Sequence, residues 1–214
     1  MTIKIKVYSD FVCAFCFLAT GPLDEIVKEK DVEVEWRPFE LRPSPSPKID
    51  PRTQPRVMAA WDSFIYPTAE KLGLEIKLPH FRSYTHLAFE GYQFAKELGK
   101  GNEFHHRVFI AHFQEEQNIE DIEVLTKLAE EVGLSQVAFK EALVSRKYRE
   151  MHQEALRHAQ QEAQIMAVPT FIIGDEAIQG FTSKERLAKA IDQEFEKGKE
   201  NELDGLQCNV YGDC

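Results

Sequence analysis

No apolar run in the sequence approaches the roughly 18–20 residues that a membrane-crossing helix needs. The start, Met1-Thr2-Ile3-Lys4-Ile5-Lys6-Val7, alternates charged and apolar residues and has no apolar core of a signal peptide, so a cytoplasmic location is expected. Basic residues are in deficit: 26 Lys and Arg against 36 Asp and Glu give a net charge of −10. That balance argues against non-specific nucleic-acid binding, which needs a basic face. Much of the acid is Glu mixed with Lys along helical stretches, the pattern of a solvated surface. Cysteine is scarce. The four cysteines fall into two clusters, Cys13/Cys16 and Cys208/Cys214, too few for a structural disulfide framework in a cytosolic chain of 214 residues. Catalysis, redox sensing and metal binding are left. Internal repeats are absent, and the one biased tract is rich in proline.

Residues 3–9 set Ile3, Ile5 and Val7 against Lys4, Lys6 and Tyr8, the period of a half-buried strand. A helical stretch with Leu23, Ile26 and Val27 follows Cys16, and Gly21-Pro22 should kink or restart it. Residues 32–39 alternate again, so strand, helix and strand form a βαβ unit with parallel strands. Six prolines from Pro38 to Pro55 mark a loop that enters an inserted module. Residues 57–158 then read as a series of helices: about 57–72 with Pro67 inside, 85–98, 102–117, one capped by Asn118 and ending at Gly133, one capped by Ser135, and 147–165. After Pro169 the period returns to two. Thr170-Phe171-Ile172-Ile173 and Ala177-Ile178-Gln179 flank the turn Gly174-Asp175 as a hairpin, and Thr182-x-x-Glu185 is a capping box for a last helix to about Lys197. The expected fold class is α/β: a mixed sheet, a parallel βαβ unit plus a C-terminal hairpin, split by a large all-helical insertion. Its two halves are residues 1–50 and 156–200, the insertion is 51–155, and 201–214 is a tail carrying a cysteine pair.

Cys13-Ala14-Phe15-Cys16 lies between a strand and a helix, where disulfide chemistry works. A sulfur at a helix N-terminus meets unpaired N–H groups and the positive end of the macrodipole, which favour a thiolate. Cys16, one turn further on, is placed to attack a mixed disulfide formed at Cys13. A lone C-x-x-C is also half of a zinc site, and only Cys208 and Cys214 are at hand to complete it. Val168-Pro169 opens a strand, where proline costs no ladder bond. It reads either as a plain strand entry or as a cis bond facing the cysteines, with the Val168 backbone free to pair with an extended substrate.

Several segments together resemble the DsbA family of thioredoxin-fold proteins, and within it the FrnE-like cytosolic subgroup. They are Ser9-Asp10-Phe11-Val12-Cys13, Trp36-Arg37-Pro38-Phe39-Glu40-Leu41, Thr85-His86 with Ala95-Lys96, Ala111-His112-Phe113, Val124-Leu125, and Ala167-Val168-Pro169-Thr170-Phe171. The resemblance implies the fold, a dithiol–disulfide activity and a cis proline at 169. Two positions depart from it. Ala14 stands where the family usually has Pro, and Phe15 where the DsbA type has His. Phe15 brings neither charge nor hydrogen bond to Cys13, so a weaker oxidant than DsbA, whose potential is about −120 mV, is expected.

Most of the phenylalanines Phe15, Phe17, Phe39, Phe81, Phe104, Phe109 and Phe113 suit ordinary core packing. Phe15 and Phe39 are the best candidates for a substrate groove beside Cys13. His105 and His112 share a helix face, but their spacing is poor for a metal and no metal site is assigned. Cys208 and Cys214 are either reduced thiols of a loose tail, an accessory redox pair that exchanges with Cys13/Cys16, or ligands or bridges. The expected function is thiol–disulfide oxidoreductase or isomerase, with thiol- or disulfide-containing proteins or small molecules as partners and no cofactor, since the redox equivalents sit on two sulfurs. The rivals are a glutathione-dependent enzyme of the same fold, a chaperone-like holder and a zinc-binding adaptor.

Overall fold

A computed structural model describes residues 2–80 and 82–204 of the chain. Strand β1 (Ile3–Ser9) buries Ile3, Ile5 and Val7 and exposes Lys4 and Lys6, as its alternation demands. The alternation breaks at its far end, where Tyr8 and Ser9 are both buried. Helix α1 (Ala14–Glu29) carries the chain back to β2 (Val32–Pro38), which pairs parallel with β1 from Ile3↔Val32 to Ser9↔Pro38. Proline is tolerated at the end of β2 because that strand is a sheet edge.

Among the described residues, seven α-helices follow before the chain returns to the sheet: α2 (Pro55–Ala60), α3 (Tyr66–Lys71), α4 (His86–Glu97), α5 (Gly101–Phe113), α6 (Ile122–Glu131), α7 (Gln136–Val144) and α8 (Arg149–Arg157). Strand β3 (Thr170–Ile173) then runs antiparallel to β1, with Val7↔Phe171 and Tyr8↔Thr170. Gly174 takes the positive φ of +55° that a two-residue hairpin turn needs, and β4 (Glu176–Gln179) completes the order β2-β1-β3-β4. Helix α9 (Lys184–Asp204) closes the described chain. This is a thioredoxin-like mixed sheet interrupted by helices, and one apolar core spans both. Phe11 from the sheet side meets Phe89 of α4 at 4.6 Å and Phe109 of α5 at 5.5 Å, and Phe17 of α1 stacks on Phe113 at 5.3 Å.

Several local expectations need correction. Helix α1 does not restart at Gly21-Pro22. Pro22 sits inside it, buried with Leu23 and Ile26, and that burial offsets the one hydrogen bond proline removes. Between α2 and α3 the rod widens to a π turn over Trp61–Ile65, where the Tyr66 amide donates to the Trp61 carbonyl five residues back. The wide turn carries the helix through Pro67, which has no amide to offer. Helix α5 stops at Phe113 rather than near 117. Asn118 is not a helix cap: its side-chain oxygen accepts from Ser83 Oγ at 2.9 Å, and Asp121 caps α6 instead. The last helix begins one residue after Ser183, whose hydroxyl accepts from the Arg186 amide, so Ser183 displaces Thr182 as the cap. That helix also runs past Lys197 into the stretch expected to be loose.

Candidate active site

Cys13 is the N-cap of α1, and its carbonyl accepts from the Cys16 and Phe17 amides at 3.0 and 3.1 Å. The turn before it is closed by the Cys13 amide, which donates to the Asp10 carbonyl at 3.0 Å. The sulfur therefore stands at the end of β1, above the first turn of a 16-residue helix. Strand register brings the second part of the site to it. Because Thr170 lies opposite Tyr8, residues 168 and 169 fall just beyond the end of β1. The Cys13 thiol donates to the Val168 carbonyl at 3.6 Å. The Val168–Pro169 bond is cis. The Pro169 carbonyl accepts from the Gly180 amide at 2.7 Å, and Thr170 Oγ1 donates to the Ala167 carbonyl at 2.7 Å, so both sides of the segment are held.

The two sulfurs are unequal. Both cysteines are free and both are buried, Cys13 at 6 % exposure and Cys16 at 1 %. Burial pushes the Cys16 thiol well above its ordinary pKa, and the neighbouring Cys13 sulfur pushes it the same way. Cys13 is less open than its expected role suggests, because the insertion folds over it. Its access is a cavity of about 310 Å³ whose lining includes Cys13, Phe15, Leu41, Trp61, Arg82 and Phe113. A wider hollow of about 870 Å³ lies along α9 and β3, but charged helix residues such as Glu185 and Lys189 line it, and neither Cys13 nor Cys16 does.

The structure brings Cys13, Cys16, Phe15, Val168 and Pro169 together. Phe15 is 38 % exposed, lines the cavity, and lies 5.4 Å from the ring of Phe64. Val168 touches the sulfur but does not line the cavity, and neither does Pro169. Phe39 is a correction: it is not a wall of the groove. Its amide donates to the Ser9 carbonyl at 3.0 Å, extending the β2 pairing by one residue, and its ring packs half-buried against the core. Its neighbour Leu41 lines the cavity instead. Phe17, Phe104, Phe109 and Phe113 are buried as core residues. Cys208, Cys214 and Phe81 lie outside the described residues.

Two histidines of α5 are buried without forming a ligand pair. His105 stacks on Trp36 at 3.7 Å, and burial holds its pKa well below the usual imidazole range. His112 lines the Cys13 cavity, and burial lowers its pKa to about 4.

Sequence reasoning missed three polar features around the site. Asp10 is buried, and its Oδ2 accepts from the Leu41 amide at 2.8 Å. Burial raises its pKa to about 7, against the opposing pull of that amide. Its place in Ser9-Asp10-Phe11-Val12-Cys13 was visible; its burial was not. Glu40 and His152 form a buried pair at 2.6 Å, and Arg146 grips the fully buried Glu90 through two nitrogens. Their partners are 112 and 56 residues apart in the chain, so no local pattern announces them.

Comparison with known proteins places this geometry. A family model described as a DSBA-like thioredoxin domain matches residues 4–192. The uncharacterized protein YwbO of Bacillus subtilis (strain 168) is 56 % identical over 199 residues, covering 92 % of this chain and 100 % of that protein. Among solved structures, a probable DsbA oxidoreductase of Streptomyces coelicolor superposes with a TM-score of 0.79 at 21 % identity, over 97 % of this chain and 92 % of the other. The cytosolic disulfide reductase DsbM of Pseudomonas aeruginosa, solved with GSH, gives 0.65 at 18 % identity over 93 % and 99 %. These structures share the fold. With the family model spanning nearly the whole chain around the Cys13–Cys16 pair, the chain belongs to the family of DsbA-like thioredoxin-domain proteins.

Proposed function

We propose that this protein is a thiol–disulfide oxidoreductase working through Cys13 and Cys16. The observation that carries this reading is the Cys13 sulfur at the head of α1, beside the Val168 carbonyl and open to a cavity, with Cys16 buried one turn behind. The Cys13 thiolate attacks one sulfur of a substrate disulfide and forms a mixed disulfide, and the other substrate sulfur leaves as a thiol. Cys16 then attacks the Cys13 sulfur and releases the second thiol. The enzyme ends oxidised by two electrons and the substrate reduced by two; the reverse sequence oxidises a dithiol. Burial keeps Cys16 protonated until its turn, which assigns attack to Cys13 and resolution to Cys16. The Val168 backbone and Pro169 position the substrate, Phe15 offers it an exposed apolar edge, and no cofactor enters the exchange. Thiol- or disulfide-containing proteins and small molecules are the partners, isomerisation is within the same chemistry, and the cytoplasm is the proposed location. Among the described residues no helix is long and apolar enough to cross a membrane.

The test is a trapping experiment. Cys16→Ala should leave a stable mixed disulfide at Cys13, identified by mass spectrometry. Cys13→Ser should lower exchange by at least about a thousandfold, the scale of removing a nucleophile. Retained exchange in Cys13→Ser, or no adduct in Cys16→Ala, overturns the assignment.

A further inference from the structure

The cavity beside Cys13 carries a charge pattern that dithiol chemistry alone does not use. In the whole chain acids outnumber bases. Among the described residues that line the cavity the order is reversed: Arg56 and Arg82 are there, and no Asp or Glu is. Most arginines elsewhere are answered by a carboxylate. Arg37 meets Glu35 at 3.0 Å, Arg52 meets Asp50 at 2.9 Å and Arg107 meets Glu115 at 2.8 Å. Among the described residues, Arg56 and Arg82 make no ion pair.

Arg82 is also held in place. Its Nε donates to the Ile49 carbonyl at 3.1 Å, which fixes one edge of the guanidinium and leaves its terminal nitrogens free to donate. Burial and the charge of Arg42, the residue after the wall residue Leu41, both oppose the Arg82 charge. A guanidinium does not deprotonate to escape such a site. An anion is what relieves it, and a carboxylate fits its planar fork. Apart from His112, the remaining walls, Val57, Trp61, Ile65 and Phe113 among them, are largely apolar. The volume of about 310 Å³ lies at the low end of the range of about 300–1,000 Å³ typical of small-molecule sites.

Resting on the oxidoreductase reading above, we infer that the dithiol serves a low-molecular-weight disulfide that bears carboxylates, with its sulfur at Cys13 and a carboxylate at Arg56 and Arg82. Cys13 forms a bond to one sulfur as the substrate S–S bond breaks. Cys16 then displaces the retained half. The two protons that leave the enzyme thiols end on the two product thiols, so atoms and electrons balance with no further reactant.

The test compares three small disulfides of similar size with the reduced full-length protein: dithiodipropionate, which is anionic, hydroxyethyl disulfide, which is neutral, and cystamine, which is cationic. Each rate, followed by tryptophan fluorescence or by alkylation of residual thiols, is divided by that of a simple dithiol to remove intrinsic reactivity. The anionic disulfide should exceed the neutral one by at least about tenfold and cystamine should fall below both, with the preference shrinking as salt rises. Arg56→Gln with Arg82→Gln should bring the anionic-to-neutral ratio close to one, and the paired Arg→Lys variant should keep part of it. Equal rates in the wild type, a preference insensitive to salt, or a ratio unchanged by the double Gln variant overturns the carboxylate assignment and leaves the dithiol reading standing. Failure of all three disulfides to oxidise the protein overturns the dithiol reading itself. The salt dependence decides the matter even if the double variant does not fold.

Discussion

Two hollows flank the Glu40–Leu41 segment, and they treat charge in opposite ways. Leu41 belongs to the cavity beside Cys13, where two arginines stand without a carboxylate among apolar walls. Glu40 belongs to the other, about 360 Å³, lined also by His86, Glu90, Arg146 and His152. There each buried acid has its partner: Glu40 has His152 at 2.6 Å, and Glu90 has Arg146 at 2.6 Å. Charges answered within the chain hold the chain together. Charges left unanswered beside a nucleophile are available to something that arrives. The same residue types therefore do structural service on one side of a two-residue segment and recognition on the other.

The sharpest way to probe the boundary is Asp10, which holds Leu41 through its backbone amide. The folded chain keeps the Asp10 proton up to about pH 7, whereas the ordinary aspartate releases it near 3.8. Between those values the folded state binds more protons, so this group's contribution to stability is present at low pH and is lost as pH rises through about 7. A gap of about 3 pH units corresponds to about 4 kcal/mol. Asp10→Asn should remove this slope, so that the variant gains up to about 4 kcal/mol on the wild type between pH 4 and 7, as read by urea titrations at stepped pH. His112, on the cavity wall, works with the opposite sign. Its pKa of about 4 lies below the ordinary 6.5, so its contribution is present above 6.5 and lost as pH falls toward 4, by up to about 3 kcal/mol. His112→Gln should cancel that part. Parallel stability curves for variant and wild type would remove both groups from the account.

The next effect belongs to the other hollow. Arg146→Ala strands Glu90, which has no exposure of its own, and should cost about 3 kcal/mol in denaturant unfolding while the exchange rate of the folded fraction stays as it was. A loss of exchange with no loss of stability would break the division between the hollows. The smallest effect is at the sulfur. Phe15 lines the cavity without charge, and Phe15→His places a cation near Cys13 that favours the reduced, thiolate form. The potential, measured by equilibration with a glutathione redox buffer, should rise by about 30 mV, a tenfold shift in the equilibrium. A wild-type potential already near −120 mV, the DsbA value, would contradict the expected role of Phe15.

What was legible in advance follows the distances involved. The alternation in residues 3–9 and 32–39, the C-x-x-C at a helix head and the Pro169 strand entry are short-range patterns, and each marks its element to within a residue, although Tyr8 at the end of β1 is buried against the alternation. Phe39 failed because one residue of extra pairing to Ser9 turned it toward the core and left Leu41 at the cavity. Asn118 and Thr182 failed as caps because several residues near each helix start can cap it, and Asn118 was claimed by Ser83, 35 residues away.

The sequence by itself determined the dithiol, its place at the head of a helix and the thioredoxin-like order of elements, because periodicity and spacing are properties of neighbours along the chain. Only the tertiary structure decided which acids and histidines are buried, that Val168 faces Cys13, and that Arg56 and Arg82 share a cavity with it. Burial and charge balance depend on which distant segments meet, and no single stretch of sequence records that.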